Sequence, residues 1–163
     1  MKYRLANQKD LKALQALGLA SYGTMKAFLT DENWKEMETF LKSENLYSDL
    51  LLSSTPFICE NKRGIIGMGF LIPSGHPTQV FPSETNYIRM VGVHPDAGGQ
   101  GIAQYITRLC IEKAKETGEK SIMLHTSELL LAARHIYEKM GFRKVRKLDL
   151  HYGMEYWLYR MDI

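Results

Sequence analysis

The sequence predicts an α/β (α+β) fold, a mixed central sheet of about six or seven strands with helices on both faces. Three observations lead there. The run Met90-Val91-Gly92-Val93-His94-Pro95-Asp96-Ala97-Gly98-Gly99-Gln100-Gly101-Ile102-Ala103 carries an apolar strand through a glycine turn into an amphipathic helix. Elsewhere the apolar positions switch between helical and strand spacing. The 163 residues, 45% hydrophobic and 24% charged, suit one domain over residues 1–163 with a substantial core.

Lys2 to Leu5 reads as an edge strand, and Asp10 starts a helix with Leu11, Leu14, Leu17 and Ala20 at helical spacing. Asn7 or Asp10 caps it. Thr30, followed by Asp31 and Glu32, marks a second helix start, with Trp34, Met37, Phe40 and Leu41 as its apolar stripe. From Pro56 the pattern turns to strands. Phe57 to Glu60 and Ile65 to Ile72 flank the turn Asn61-Lys62-Arg63-Gly64 as an antiparallel hairpin. A breaker-rich loop follows, with Pro73-Ser74-Gly75-His76-Pro77 and Phe81-Pro82-Ser83, longer than a hairpin needs.

The strand Asn86 to His94 leads into the glycine turn, and Gly92 within it marks a bulge or a close approach by a neighbour. Ile102, Tyr105, Ile106, Leu109 and Cys110 then share one face of a helix that Thr117-Gly118 ends. Ser121 to His125 is a strand that a right-handed crossover sets parallel to the Asn86 strand. A helix from Ser127 to Met140 buries Leu129, Leu130, Ala133, Ile136 and Tyr137, with Gly141 as its stop. Strands Arg143 to Leu150 and Glu155 to Met161 complete the sheet around His151-Tyr152-Gly153.

The strand, glycine turn and helix at 90–103 build an anion site. The first N–H groups of a helix have no intrahelical acceptor and lie at the positive end of its dipole, where phosphate binds. Gly98, Gly99 and Gly101 remove side chains that would hold a pyrophosphate off those amides, and they permit positive φ. An ATP or GTP loop would need Lys and then Ser or Thr where Ile102 and Ala103 stand. A nicotinamide fingerprint would put Gln104 at its third small position, and its ribose reader would have to be Glu116 or Glu119, outside any strand end. A coenzyme A loop remains.

Val-x-Pro followed by x-Gly-x-Gly-Ile-Ala resembles the acyl-CoA signature of the GNAT (Gcn5-related) N-acetyltransferase superfamily. Downstream, Ala133-Arg134-His135-Ile136-Tyr137-Glu138-Lys139-Met140-Gly141-Phe142 matches the superfamily's Ala-x-x-x-Tyr-x-x-x-Gly-Phe helix end. The resemblance implies a splayed pair of central parallel strands. The pantetheine arm enters that gap along the backbone of Val91, Gly92 and Val93, and Gly98, Gly99, Gln100, Gly101, Ile102 and Ala103 cradle the diphosphate. It also implies acetyl-CoA as co-substrate, a primary amine on a small molecule or peptide as acceptor, and one wall of the acceptor groove built from the first helices.

The chemistry so implied is acyl transfer from a thioester to a neutral amine by direct attack. Tyr137 matches the family's acid and keeps its proton at neutral pH. For the base, relatives carry a glutamate near the position of Tyr87. Glu84 is the nearest carboxylate, and His94 and His125 sit at strand ends. Two positions depart from the family pattern: Gly98 stands where Arg or Gln is usual, with Gln100 as a substitute, and Leu130 stands where many relatives have Asn. The rival reading from another class is a non-catalytic acyl-CoA-binding sensor or interaction module of the same fold.

Other features exclude function classes. No apolar run is long enough to span a membrane, and Met1-Lys2-Tyr3-Arg4 leads into no signal-like segment, so a cytoplasmic location is expected. Cys59 and Cys110 stand apart as buried thiols, and the five histidines never fall at metal-ligand spacing, so no metal is expected. The net charge of +3 is too small to indicate nucleic acid, and the cluster Arg143, Lys144, Arg146, Lys147 reads as a solvated strand edge. The expected state is a monomer or homodimer.

Overall fold

The computed structural model describes all 163 residues. Its sheet has seven strands in the order β1-β2-β3-β4-β5-β7-β6. They are β1 (Lys2–Leu5), β2 (Thr55–Asn61), β3 (Gly64–Ile72), β4 (Asn86–Val93), β5 (Ser121–Ser127), β6 (Arg143–Lys147) and β7 (Tyr156–Asp162). Five α-helices accompany them: α1 (Leu11–Tyr22), α2 (Asp31–Lys42), α3 (Glu44–Ser53), α4 (Ile102–Glu116) and α5 (Leu131–Met140). Only β4 and β5 run parallel, because the chain returns through α4 between them.

Local chemistry sets the helix starts. Asn7 Oδ1 accepts from the Lys9 amide, the Asp10 carboxylate accepts from the Asn7 amide, and Thr30 Oγ1 accepts from the Asn33 amide. The Arg4 guanidinium grips both Asp10 oxygens (2.8 and 3.0 Å) and Glu60 (2.8 Å), tying β1 and β2 to the start of α1.

Strand alternation sends side chains to two cores. On one face Leu14 and Leu17 of α1 and Tyr47 and Leu50 of α3 pack on Ile58, Met68, Phe70, Tyr87, Met123 and Leu158. On the other face Cys110, Ile111 and Ala114 of α4 and Tyr137 of α5 pack on Leu71, Ile88, Ile122, Leu124 and Tyr159. Helix α4 lies close on β3 because that strand carries glycines beneath it. A Cβ at Gly67 would strike Ile102, and one at Gly69 would sit 2.5 Å from Ile106 Cγ2. Met25, Met37, Leu41 and Met154 form a smaller core that seats α2 beyond the sheet.

Three elements differ from the sequence reading. Helix α3 was not anticipated as a separate element; Ser43 ends α2 and caps α3 through its Oγ, so one residue serves as both stop and start. Helix α5 begins at Leu131 rather than Ser127. Ser127 stays in β5 opposite Tyr156, its Oγ and carbonyl oxygen accept from Leu129 and Leu130, and this turn delays the helix, leaving Leu129 47% exposed. Strand β6 stops at Lys147 instead of Leu150. Beyond it His151 and Met154 pair across a tight turn of Tyr152 (φ 53) and Gly153 (φ 73). All five β6 residues are exposed, so the basic cluster is a solvated edge, with Lys144 over the Trp157 ring.

Candidate active site

The site begins where β4 and β5 part. They pair only at Asn86–Ile122 and Tyr87–Met123, after which no further bridges join them. A bulge in β4 accompanies the separation. Against β3, Met68 faces Gly92 and Phe70 faces Arg89, so Met90 and Val91 together oppose Gly69 alone. Met90 takes a positive φ of 54 there. The bulge read from Gly92 therefore falls on the residues just before it. Gly92 itself answers to a close approach, since a Cβ would stand 3.0 Å from Ser21 Oγ and 3.2 Å from Met68 Cε.

Helix α1 reaches this irregular segment with two hydroxyls. Tyr22 Oη donates to the Val91 carbonyl oxygen (3.0 Å), and Ser21 Oγ accepts from the Val93 amide (3.1 Å). One main-chain group at each of the two valines is thus already held by α1.

A cavity opens at the fork, with β4 and β5 as two walls and α1, α2, α5 and the His151–Met154 hairpin as the others. Tyr137 of α5 lines it and is 6% exposed. Its ring meets Phe142 edge-on at 5.9 Å, while its hydroxyl hydrogen-bonds to no protein group. Burial, and to a smaller extent the Cys110 thiol, pushes this phenol well above its ordinary pKa, so it holds its proton at neutral pH. Tyr22 and Tyr156 share the cavity; burial raises both, Tyr156 to about 12. His125 is lowered to about 4, first by burial and then by the charges of Arg89 and His151, so its imidazole is neutral near pH 7.

Of the other residues singled out by sequence, Tyr87, Glu84 and His94 lie elsewhere. Tyr87 packs on the opposite face from Tyr137, stacks on Phe81 at 4.0 Å and donates to the His76 carbonyl oxygen (2.9 Å). It lines a second cavity, together with Asp49, Ser53 and His76. Glu84 is exposed and lines neither cavity. His94 Nδ1 accepts from the Asp96 amide, capping a short 3-10 turn over Pro95–Ala97. Leu130 lines the cavity with Tyr137.

The glycine turn is an exposed shelf leading out of β4. Gly99 (φ 74) and Gly101 (φ 77) adopt the left-handed conformation, and nothing lies within 4 Å of where their Cβ atoms would be. Helix α4 has no side-chain cap, and its first backbone bond is Tyr105 N–H to Gly101 O, at 3.0 Å. The amides of Ile102, Ala103 and Gln104 therefore lack a protein acceptor and face an open approach, which suits a diphosphate. Ile102 is buried and anchors the turn against Ile106 and Ala97, so only its backbone is offered.

Sequence reasoning missed Tyr22, Arg89, His151, Tyr152 and Tyr156 as wall residues of the Tyr137 cavity. Arg89 alone carried a legible signal, a single charge inside an otherwise apolar strand. The rest arrive through tertiary placement of α1 and the hairpin.

A family model described as acetyltransferase (GNAT) family matches residues 24–142. The chain is 26% identical over 141 residues to an uncharacterized N-acetyltransferase, YdgE, of Bacillus subtilis, covering 83% of this chain and 87% of that protein. It is 28% identical over 88 residues to the mycothiol acetyltransferase of Thermomonospora curvata, covering 54% of this chain and 27% of that one. It spans less than half of the human N-acetyltransferase 8B, at 25% identity over 95 residues, with 58% of this chain and 41% of that protein covered. In fold it matches the PaiA N-acetyltransferase of Thermoplasma acidophilum solved with coenzyme A. That match has a TM-score of 0.79 and 13% identity, with 99% of this chain and 98% of that one covered. A GCN5-related N-acetyltransferase of Rhodopseudomonas palustris superposes with a TM-score of 0.80 at 17% identity, over 99% and 95% of the two chains.

Proposed function

Since this chain belongs to the acetyltransferase (GNAT) family, we propose that it transfers an acetyl group from acetyl-CoA to a primary amine of a small molecule or peptide. One observation carries the reading: the unpartnered Tyr137 hydroxyl stands in a cavity at the β4/β5 fork, and β4 runs on directly into the uncapped start of α4.

The residues fit the co-substrate. The amides of 102–104 and the open shelf at Gly99 and Gly101 would hold its diphosphate, with Gln100 beside them, and the bulged backbone at Val91–Val93 borders the gap for its arm. Bound there, it supplies an activated acyl thioester. Tyr137 Oη retains a proton at neutral pH and is the donor for the departing sulfur. The amine must arrive neutral, since the His125 ring in the same cavity is uncharged and its lowered pKa makes it a poor acceptor for an ammonium proton. Glu84 and Tyr87 lie outside the Tyr137 cavity, and the proposed transfer assigns them no direct part.

Thiol release from acetyl-CoA in the presence of an amine panel tests the reading. Acetyl transfer by the wild type, lost in Tyr137→Phe at saturating substrates while acetyl-CoA binding persists, supports it. Binding of acetyl-CoA with transfer to no amine would instead mark a non-catalytic acyl-CoA-binding module.

A further inference from the structure

Arg89 has no partner. It is the fourth residue of β4, half-buried and part of neither core, and none of its guanidinium nitrogens makes a hydrogen bond or ion pair with any protein group. Half-buried arginines ordinarily satisfy several of their five donors. Among the walls of the Tyr137 cavity there is no aspartate, glutamate or lysine, so Arg89 supplies the one fixed charge. Its field reaches Tyr22, His125 and Tyr152. The same side chain also walls the second cavity, so it stands between the two chambers.

Resting on the acetyltransfer reading above, we propose that Arg89 is a specificity-determining residue that pairs with a carboxylate on the acceptor amine. The guanidinium fork matches a carboxylate in two parallel hydrogen bonds. Pairing also cancels the carboxylate field that would otherwise hold the acceptor's ammonium in its charged form. A polyamine is disfavoured, because the cavity offers one positive charge and no acid to meet its ammonium groups. Apart from His125, Thr126 and His151, the remaining walls, including Tyr22, Met37, Phe40, Tyr152 and Tyr156, are aromatic or apolar. The acceptor is therefore a small amine with a carboxylate on an apolar body, of which an apolar α-amino acid is the simplest.

The experiment compares apolar L-amino acids with their amides, and with spermidine, in thiol release by the wild type, Arg89→Gln and Arg89→Lys. The wild type is expected to favour acids over amides in kcat/KM by about 10²-fold, the scale of a charge-assisted pair. Arg89→Gln is expected to remove that preference while leaving the amides within about 3-fold and the KM for acetyl-CoA unchanged; Arg89→Lys should recover about 10-fold of it, as a point charge without the fork. Equal loss on acids and amides, or a wild type that prefers amides or spermidine, overturns the proposal. In parallel, calorimetry with N-acetyl-L-phenylalanine and its amide reads the anion site without turnover. If no amine is acetylated but the acid binds selectively and only with Arg89 present, the enzymatic reading fails and the anion site stands; no acid selectivity in binding or turnover sinks the anion site itself.

Discussion

Acid should weaken this fold through His125 in a window that its carboxylates do not share. The unfolded imidazole titrates near 6.5, whereas burial, aided by Arg89 and His151, lowers the folded one to about 4. Between those values the unfolded chain binds a proton that the folded chain refuses, so stability is lost as pH falls from 6.5 toward 4 and is fully present above 6.5. The full gap corresponds to ~3 kcal/mol, and screening of a ring that keeps partial solvent access reduces this to ~2 kcal/mol. Phe81 lies edge-on to the ring at 5.6 Å and Tyr156 tilted against it at 5.4 Å, and no carboxylate lines the cavity it shares, so a protonated ring gains no ion pair there. Asp10 and Glu60 are held below the usual carboxylate range by Arg4, so what they contribute is present above about pH 4 and is lost only below it. Urea unfolding followed by tryptophan fluorescence, from about pH 7 to about pH 4.5, measures the slope in wild type and in His125→Gln. The variant's overall stability is immaterial; its slope should be flatter by the His125 contribution. Parallel pH slopes in the two proteins would refute the argument.

Three further outcomes follow from the geometry. On the proposed reading, Tyr137→Phe should lower kcat by about 10²-fold with little change in either KM, since it removes only a hydroxyl that bonds to no protein group. Gly101→Ala should destabilise by ~1–2 kcal/mol through its φ of 77 and weaken acetyl-CoA in calorimetry by about 10-fold. Gly75→Ala, at φ 93 with equally open surroundings, provides the control, as it should cost stability without affecting acetyl-CoA. Gly69→Val should lower the unfolding free energy by ~2–3 kcal/mol, because its Cβ would meet Ile106 Cγ2 at 2.5 Å and lift α4 from β3.

Much of this architecture was legible because local and global signals coincide. The strands, read as about six or seven, the parallel pair and the caps at Thr30 and at one of Asn7 and Asp10 were readable from spacing and cap chemistry, and Asn7 is the one whose side chain caps the turn before α1. The α5 start was not, because Ser127 offers the same oxygen to a helix cap and to a turn, and pairing with Tyr156 decides for the strand. Helix α3 was hidden because Ser43 both stops one helix and starts the next, leaving no gap in the pattern. At the site, the glycine turn and Tyr137 announced themselves through residue type and order. The remaining walls did not, because Tyr22, Tyr152 and Tyr156 are ordinary apolar positions until α1 and the His151–Met154 hairpin fold over the fork. Tyr87 shows the opposite failure. It lies in β4 itself, but strand alternation turns it to the face away from Tyr137.

The bulge explains why one short stretch of β4 can serve both chambers. An unbroken strand would have kept pairing with β5 and closed the gap; the extra residue at Met90–Val91 bends β4 and exposes its edge. Met90 pays for this with a left-handed backbone that non-glycine residues seldom adopt, a cost of ~1 kcal/mol or more that regular packing would not retain. Tyr22 and Ser21 offset part of it by satisfying the Val91 carbonyl and the Val93 amide. Arg89 is the last residue before the irregularity, paired with Phe70 across β3 and with nothing across the opening toward β5. Its guanidinium is left unpartnered by the same departure from regular pairing that opens the cavity to Tyr137. The fixed positive charge of Arg89 and the hydroxyl of Tyr137 thus stand around one opening, at the place where a single inserted residue interrupts the strand.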